Sequence, residues 1–256
     1  MAVTFTGEGP LGFITLDHPP ANSYDLAYMT EFSSAVDEAT SGAVRVVIVQ
    51  SANPKFFCAG ADIKRFLEGD IGANMEMIRV SQAAFRRMAA APQVFIAYMA
   101  GHALGGGLEI ALACDIRLAA TGSYKMGLPE VTLGILPGNG GTQRLTRLIG
   151  PSRSLELLLT GRAYSPEDAH QMGLIAHVYD ADSAEASVRA YAERLAGGPA
   201  LALAAIKRCV HEGGEKSLDD GLKLEAELME ALFRTKDADE GLHAFAEKRK
   251  AEFVGA

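Results

Sequence analysis

Three consecutive glycines, Gly105, Gly106 and Gly107, stand directly before an apolar helical run from Leu108 to Ala113, with Glu109 about one turn inside it. Glycine lets backbone approach a ligand closely. A helix start offers unpaired N–H groups and a partial positive charge. A carboxylate three residues after Gly106 shares its face of the first turn. Together these suit a carbonyl oxygen that becomes negative during a reaction, with an acid or base beside it. The plainer alternative is a glycine-packed helix start whose glutamate complements the helix dipole.

A second glycine-rich segment, Met126 to Arg144, carries Glu130 after Pro129, then Pro137-Gly138, then Gly140-Gly141 before another helix. Proline fixes the approach to Glu130, and the glycines leave room around it. Neither glycine region is a phosphate-binding loop, since no Gly-Lys-Ser/Thr follows, and neither fits the dinucleotide fingerprint. A third segment, Phe56 to Lys64, ends a strand in the small residues Ala59, Gly60 and Ala61. The N–H of Ala61 is a candidate second donor to the oxygen served by Gly106; an Asx turn at Asp62 is the structural alternative.

These segments need a frame. Phe13–Asp17 reads as a strand stopped by Pro19-Pro20, and Leu26–Ala39 has helical apolar spacing. Val44–Gln50 is a β-branched run of the kind buried on both sheet faces. Ala73–Ala91 reads as a helix ending before Pro92, Val94–Ala100 as a strand leading into the glycine run, and Asp115–Ala119 as another strand. Alternating strands and helices over residues 1–150 predict βαβ crossovers and a layered α/β core. From Pro151 the pattern turns helical: Ser152–Leu159, Ser165–Met172, Ala184–Leu195, Pro199–His211, Leu218–Phe233 and Asp237–Lys250, with only Leu174–Val178 extended.

The composition narrows the chemistry. The 256 residues are 48% hydrophobic and 22% charged, enough for a substantial core. The formal net charge of −8 opposes non-specific nucleic-acid binding. No apolar run reaches membrane-spanning length, and the N-terminus has neither a signal-peptide nor a transit pattern, so a cytoplasmic protein is expected. Cys58, Cys114 and Cys209 lack paired spacing and read as reduced thiols. His-Glu-x-x-His and Gly-x-Ser-x-Gly are both missing from the sequence, so metal hydrolysis and elbow-type serine chemistry lack support. No metal site is expected.

Phe57–Ile63, Gly105–Asp115 and Gly127–Leu145 together resemble the enoyl-CoA hydratase/isomerase (crotonase) family, collinearly from Pro19-Pro20-Ala21-Asn22 to Phe245–Lys250. The resemblance implies an α/β fold: a spiral of ββα units over residues 1–195 and a helical trimerisation region over 196–256. It implies a homotrimer, paired into a dimer of trimers, and an acyl-CoA thioester substrate with no separate cofactor. It assigns Ala61 and Gly106 to the oxyanion hole and Glu109 and Glu130 to catalysis. Glu130 is expected to serve mainly the α-proton and Glu109 mainly water, in syn hydration of a trans-2-enoyl thioester. Ala59, Asp62, Ile63 and Lys64 are expected along CoA, and Gly105, Leu133, Pro137 and Gly138 around the acyl group and water. A Δ3-Δ2-enoyl-CoA isomerase or an acyl-CoA lyase is the alternative within the family. A non-catalytic RNA-binding or scaffold homologue is the alternative outside catalysis. One segment departs from the family pattern: Ser23-Tyr24-Asp25-Leu26 stands where a small or short apolar residue and then Leu or Met is usual, and the resemblance places this segment at the border of the acyl and CoA entrance.

Overall fold

The computed structural model describes residues 1–256. Its main sheet has six strands in the order β1 (Val3–Glu8), β2 (Leu11–Leu16), β3 (Val46–Ser51), β5 (Val94–Met99), β7 (Ile116–Ala120) and β9 (His177–Tyr179). Only the β1–β2 hairpin is antiparallel; every later pairing is parallel. A second sheet is built from β4 (Phe56–Cys58), β6 (His102–Leu104) and β8 (Met126–Gly127), also parallel. After the β1–β2 hairpin, each of the next three turns lays one strand in the large sheet and one in the small sheet before a helical connection. The ββα spiral is the observed architecture.

β3 shows why the large sheet is central. Val46 and Ile48 join one hydrophobic cluster, with Val188, Ala192 and Ala196 of α8 (Ala184–Ala196). Val47 and Val49 point into the other, with Met29, Phe32 and Val36 of α1 (Leu26–Ser41) and Phe85 and Met88 of α3 (Ile71–Ala90). The period-two alternation puts both faces of the strand under helices, as its uninterrupted β-branched run predicts. Each such side chain contributes about 1.5–3 kcal/mol of transfer free energy.

The remaining helices are α2 (Ile63–Glu68), α4 (Gly106–Ala113), α5 (Gly141–Ile149), α6 (Pro151–Thr160), α7 (Pro166–Gln171), α9 (Ala200–Arg208), α10 (Leu218–Leu232) and α11 (Lys236–Glu247). Several expected bounds move for local reasons. The strand expected from Asp115 begins at Ile116, because the Asp115 carboxylate turns back to accept the N–H of Phe95 at 2.7 Å. The extended segment expected at 174–178 forms only at His177–Tyr179. Leu174 and Ile175 are buried in the turn after α7, where both N–H groups reach the carbonyl of Ala169. The helix expected over 199–211 is α-helical to Arg208 and then widens into a π turn at Cys209–Gly213.

Lys207 fastens α9 to the body. Its ammonium, 5% exposed, donates to the carbonyls of Met88 (2.7 Å) and Gln93 (2.6 Å) and pairs with Asp115 at 2.9 Å. His211 meets the other Asp115 oxygen at 2.8 Å. Asp115 is therefore a structural pairing partner. Beyond α9 the C-terminal helices keep large apolar side chains in the open, among them Leu218, Leu222, Met229, Phe233 and Phe245. No helix is long and apolar enough to cross a membrane.

Candidate active site

The candidate site gathers where the three strands of the small sheet end. β4 runs into Ala59-Gly60-Ala61, β6 into the glycine run, and β8 into Pro129-Glu130. A backbone bond ties the β6 and β8 endings together, Gly105 donating to the carbonyl of Gly127 (2.8 Å), while Ala59 ties the β4 ending to the segment before α1 by donating to the carbonyl of Ala21 (3.0 Å).

Each glycine of the run answers a different neighbour. Gly105 has φ +53°, and a Cβ there would fall 2.9 Å from Oε1 of Glu130. A Cβ on Gly106 would fall on the Tyr24 hydroxyl, and one on Gly107 on the carbonyl of Cys58. A side chain at any of the three would displace part of the site. Gly60, with φ +92°, brings the β4 segment against the same place; a Cβ on it would lie 3.2 Å from the Gly106 nitrogen. The N–H groups of Ala61 and Gly106 donate to no acceptor in the chain, and neither does that of Gly138. Two segments in contact thus present unpaired donors, the requirement for holding an oxyanion.

Glu109 is 2% exposed. Its Oε1 accepts the N–H groups of Asn139 and Gly141, each at 2.7 Å. Burial lifts its carboxyl from 4.5 to about 7; the Gly141 bond opposes this, Glu130 adds to it, and the Asn139 bond and Arg144 oppose it. Glu130 opens a 3₁₀ turn, Glu130–Leu133, that begins at Pro129. Its Oε2 is buried without a hydrogen-bond partner, and burial raises its carboxyl too. Both carboxyls resist ionisation because of burial, one held by backbone donors and the other with an unpartnered oxygen.

The other expected site residues divide into two groups. Gly105, Pro137 and Gly138 lie at the site; Gly138 is held by Gln82 Nε2, which donates to its carbonyl at 2.8 Å. Ala59 and Asp62 are half-buried on the β4 side. The Asp62 side chain caps α2, accepting the N–H groups of Lys64 (2.9 Å) and Arg65 (3.4 Å), so the Asx turn and the site-lining position coexist. Ile63, Lys64 and Leu133 are exposed, Leu133 on the turn that begins with Glu130. Tyr24, Asp62, Phe66, Asn74 and Met77 are among the residues lining a cleft of about 150 Å³ beside α2 and α3.

The sequence puts the Tyr24 segment at the acyl and CoA entrance without a role for Tyr24 itself, and it does not reveal Asn139 and Arg144 as site neighbours. Tyr24 is 3% exposed, and its hydroxyl accepts from Asn139 Nδ2 at 2.8 Å. Arg144 donates to the carbonyl of Asn139 at 2.9 Å and lies over the Phe85 ring. The departure at Tyr24 was visible in the sequence. Its contact with a residue 115 positions away was not. His102 is packed rather than catalytic: it accepts the Lys125 N–H at 3.1 Å and sits edge-on to Tyr124.

Comparison with known proteins shows the family and the fold. The sequence profile of a family described as enoyl-CoA hydratase/isomerase matches residues 7–256. A probable enoyl-CoA hydratase of Bacillus subtilis (strain 168) is 38% identical over 259 residues, covering 99% of both chains. A crotonyl-CoA hydratase of Syntrophomonas wolfei is 36% identical, covering 96% of this chain and 95% of its own. The 1.8 Å crystal structure of an enoyl-CoA hydratase from Bacillus anthracis superposes with a TM-score of 0.94 at 36% identity, covering 100% of each chain. The spiral frame, the paired glutamates and the unpaired donors of Ala61 and Gly106 thus accompany likeness along nearly the whole sequence, and the chain belongs to the enoyl-CoA hydratase/isomerase family.

Proposed function

We propose that this chain is an enoyl-CoA hydratase adding water syn across the double bond of a trans-2-enoyl-CoA thioester. The N–H groups of Ala61 and Gly106 receive the thioester oxygen. Charge builds there only as the enolate forms, so donors fixed in advance stabilise the transition state more than the substrate. One such donor is worth about 3 kcal/mol of barrier. Ionised Glu109 takes a proton from water as its oxygen bonds to Cβ, and protonated Glu130 delivers a proton to Cα as the enolate collapses. Passage of the proton from Glu109 to Glu130 restores the starting state, so the net change is addition of one water. The unpaired N–H of Gly138 suits that water. No resident cofactor takes part, since CoA belongs to the substrate.

The carrying observation is the pair of buried carboxyls, Glu109 bonded to two N–H groups and Glu130 with an unpartnered oxygen, beside two unpaired backbone donors. An isomerase needs one well-placed base, so two poised carboxyls favour hydration. The relatives named as hydratases support the same reading. The exposed apolar residues of α10 and α11 support a trimer in which neighbouring copies cover them. The test is a panel of enoyl-CoA thioesters with product identification. Loss of conjugated thioester absorbance with formation of the 3-hydroxyacyl product is expected. Double-bond migration without water uptake, or tight RNA binding by a protein inert to the whole panel, would overturn the reading.

A further inference from the structure

Tyr24 lies in the segment that departs from the pattern the sequence resemblance implies, and its surroundings give it work. Its backbone flanks Ala61: the Tyr24 N–H donates to the carbonyl of Gly60 (2.9 Å), and its carbonyl accepts the N–H of Asp62 (2.8 Å). Its ring runs inward to put the hydroxyl against Gly106. There the hydroxyl meets the Asn139 side chain at 2.8 Å, and the Asn139 N–H holds Glu109 at 2.7 Å. One residue therefore links the segment carrying one oxyanion donor, the residue carrying the other, and the loop that grips a carboxylate. Tyr24, Glu109 and Asn139 are each at most 3% exposed, so water cannot easily replace a lost bond.

We propose that Tyr24 is a positioning residue for Glu109, fixing the Asn139–Gly141 loop through its hydroxyl so that two backbone N–H groups stay aimed at one carboxylate oxygen. The proposal rests on the hydratase reading for its kinetic consequence, but its structural content does not. Arg144, Gln82 and the Tyr24 hydroxyl all hold the loop. Of these, only the Tyr24 hydroxyl connects it to the Ala61 strand ending. The charged or titratable groups facing Glu109 are Glu130 on the 3₁₀ turn, Arg144 on α5 and the Tyr24 hydroxyl itself. The Cys58 thiol lies beside Tyr24. Removing the hydroxyl loosens donors that favour ionised Glu109, so the carboxyl then titrates at higher pH.

The experiment compares wild type, Tyr24→Phe and Asn139→Ala in two readouts. The first is crotonyl-CoA hydration across pH. Tyr24→Phe is expected to lower kcat roughly tenfold or more with KM nearly unchanged, because misplacing a catalytic group costs rate rather than binding. The acid limb of its profile should move to higher pH. The double variant should be little worse than either single one, since the two side chains act as a unit. The second readout is pH-difference infrared spectroscopy of the Glu109 carboxyl, its band identified by loss in Glu109→Gln. The midpoint should rise in both variants. An unchanged midpoint overturns the proposal even if activity falls, because activity would then have been lost by general damage. Wild-type protein inert to every enoyl-CoA would overturn the hydratase reading alone; the infrared midpoint would still decide the role of Tyr24.

Discussion

Replacing Glu109 with glutamine should make the protein more stable at neutral pH while destroying its activity. Burial lifts the folded carboxyl from 4.5 to about 7. Unfolding returns it to water and to its ordinary value. Between those values the folded chain holds a proton that the unfolded chain has released. Stability is therefore fully present below 4.5, lost progressively as pH rises, and flat again above about 7. The gap is about 2.5 pH units, and at about 1.4 kcal/mol per unit wild type gives up about 3 kcal/mol across the window. Glutamine stays neutral in both states and keeps an oxygen for the Asn139 and Gly141 donors, so it carries no such loss. Glu130 titrates in both proteins and largely drops out of their difference. The assay is urea unfolding of both proteins at one concentration, from about pH 4.5 to 8, with the difference in unfolding free energy plotted against pH. Glu109→Gln should gain steadily on wild type and level off near neutrality, while hydration falls at least about 100-fold. Curves that stay parallel would refute burial as the cause of the raised carboxyl, and with it the poised pair.

Three further outcomes follow from the same geometry. Glu130→Gln should lower kcat by about 100-fold or more while leaving butyryl-CoA binding, measured by calorimetry, unchanged. Gly106→Ala places a methyl group on the Tyr24 hydroxyl; thermal unfolding should show a loss of about 1–3 kcal/mol, and hydration should fail as the oxyanion donor is displaced. Lys207→Ala leaves Asp115 without its ammonium and the carbonyls of Met88 and Gln93 without a donor, and urea unfolding should report a loss of about 3–5 kcal/mol.

Much of the frame was legible because its signals are local. The β-branched run of β3 declares burial on both faces, and the apolar spacing of α1 and α3 declares their inner faces. Of the elements that escaped, β1 is a six-residue edge strand whose second half is exposed, and the others are short. β6 and β8 are three and two residues long, too brief for any periodicity, and α2 is six residues capped by the very Asp62 that also reads as a turn. At the site, Glu109 and Glu130 were legible from glycine and proline context together with the family resemblance. What holds them was not. The Asn139 and Gly141 donors and the Tyr24 hydroxyl depend on contacts between distant segments, which no local pattern encodes. Lys207 reads as an ordinary helix-end cation, yet it is buried, because two carbonyls and Asp115 converge on it from other elements.

The small sheet has a consequence for how this molecule can change. Its three strands are joined by backbone bonds, Phe56 opposite His102 and Ala103 opposite Met126, and each ends just short of a segment of the candidate site. The spacing between those segments is thus set first by main-chain register, with side chains such as Tyr24 fixing the loops beyond the strands. Side chains at the strand ends can be exchanged without moving the places they occupy. Reaction type and geometry are in that sense inherited separately. A new pair of side chains at positions 109 and 130 would meet the same two N–H donors, in the same frame, with different chemistry to perform.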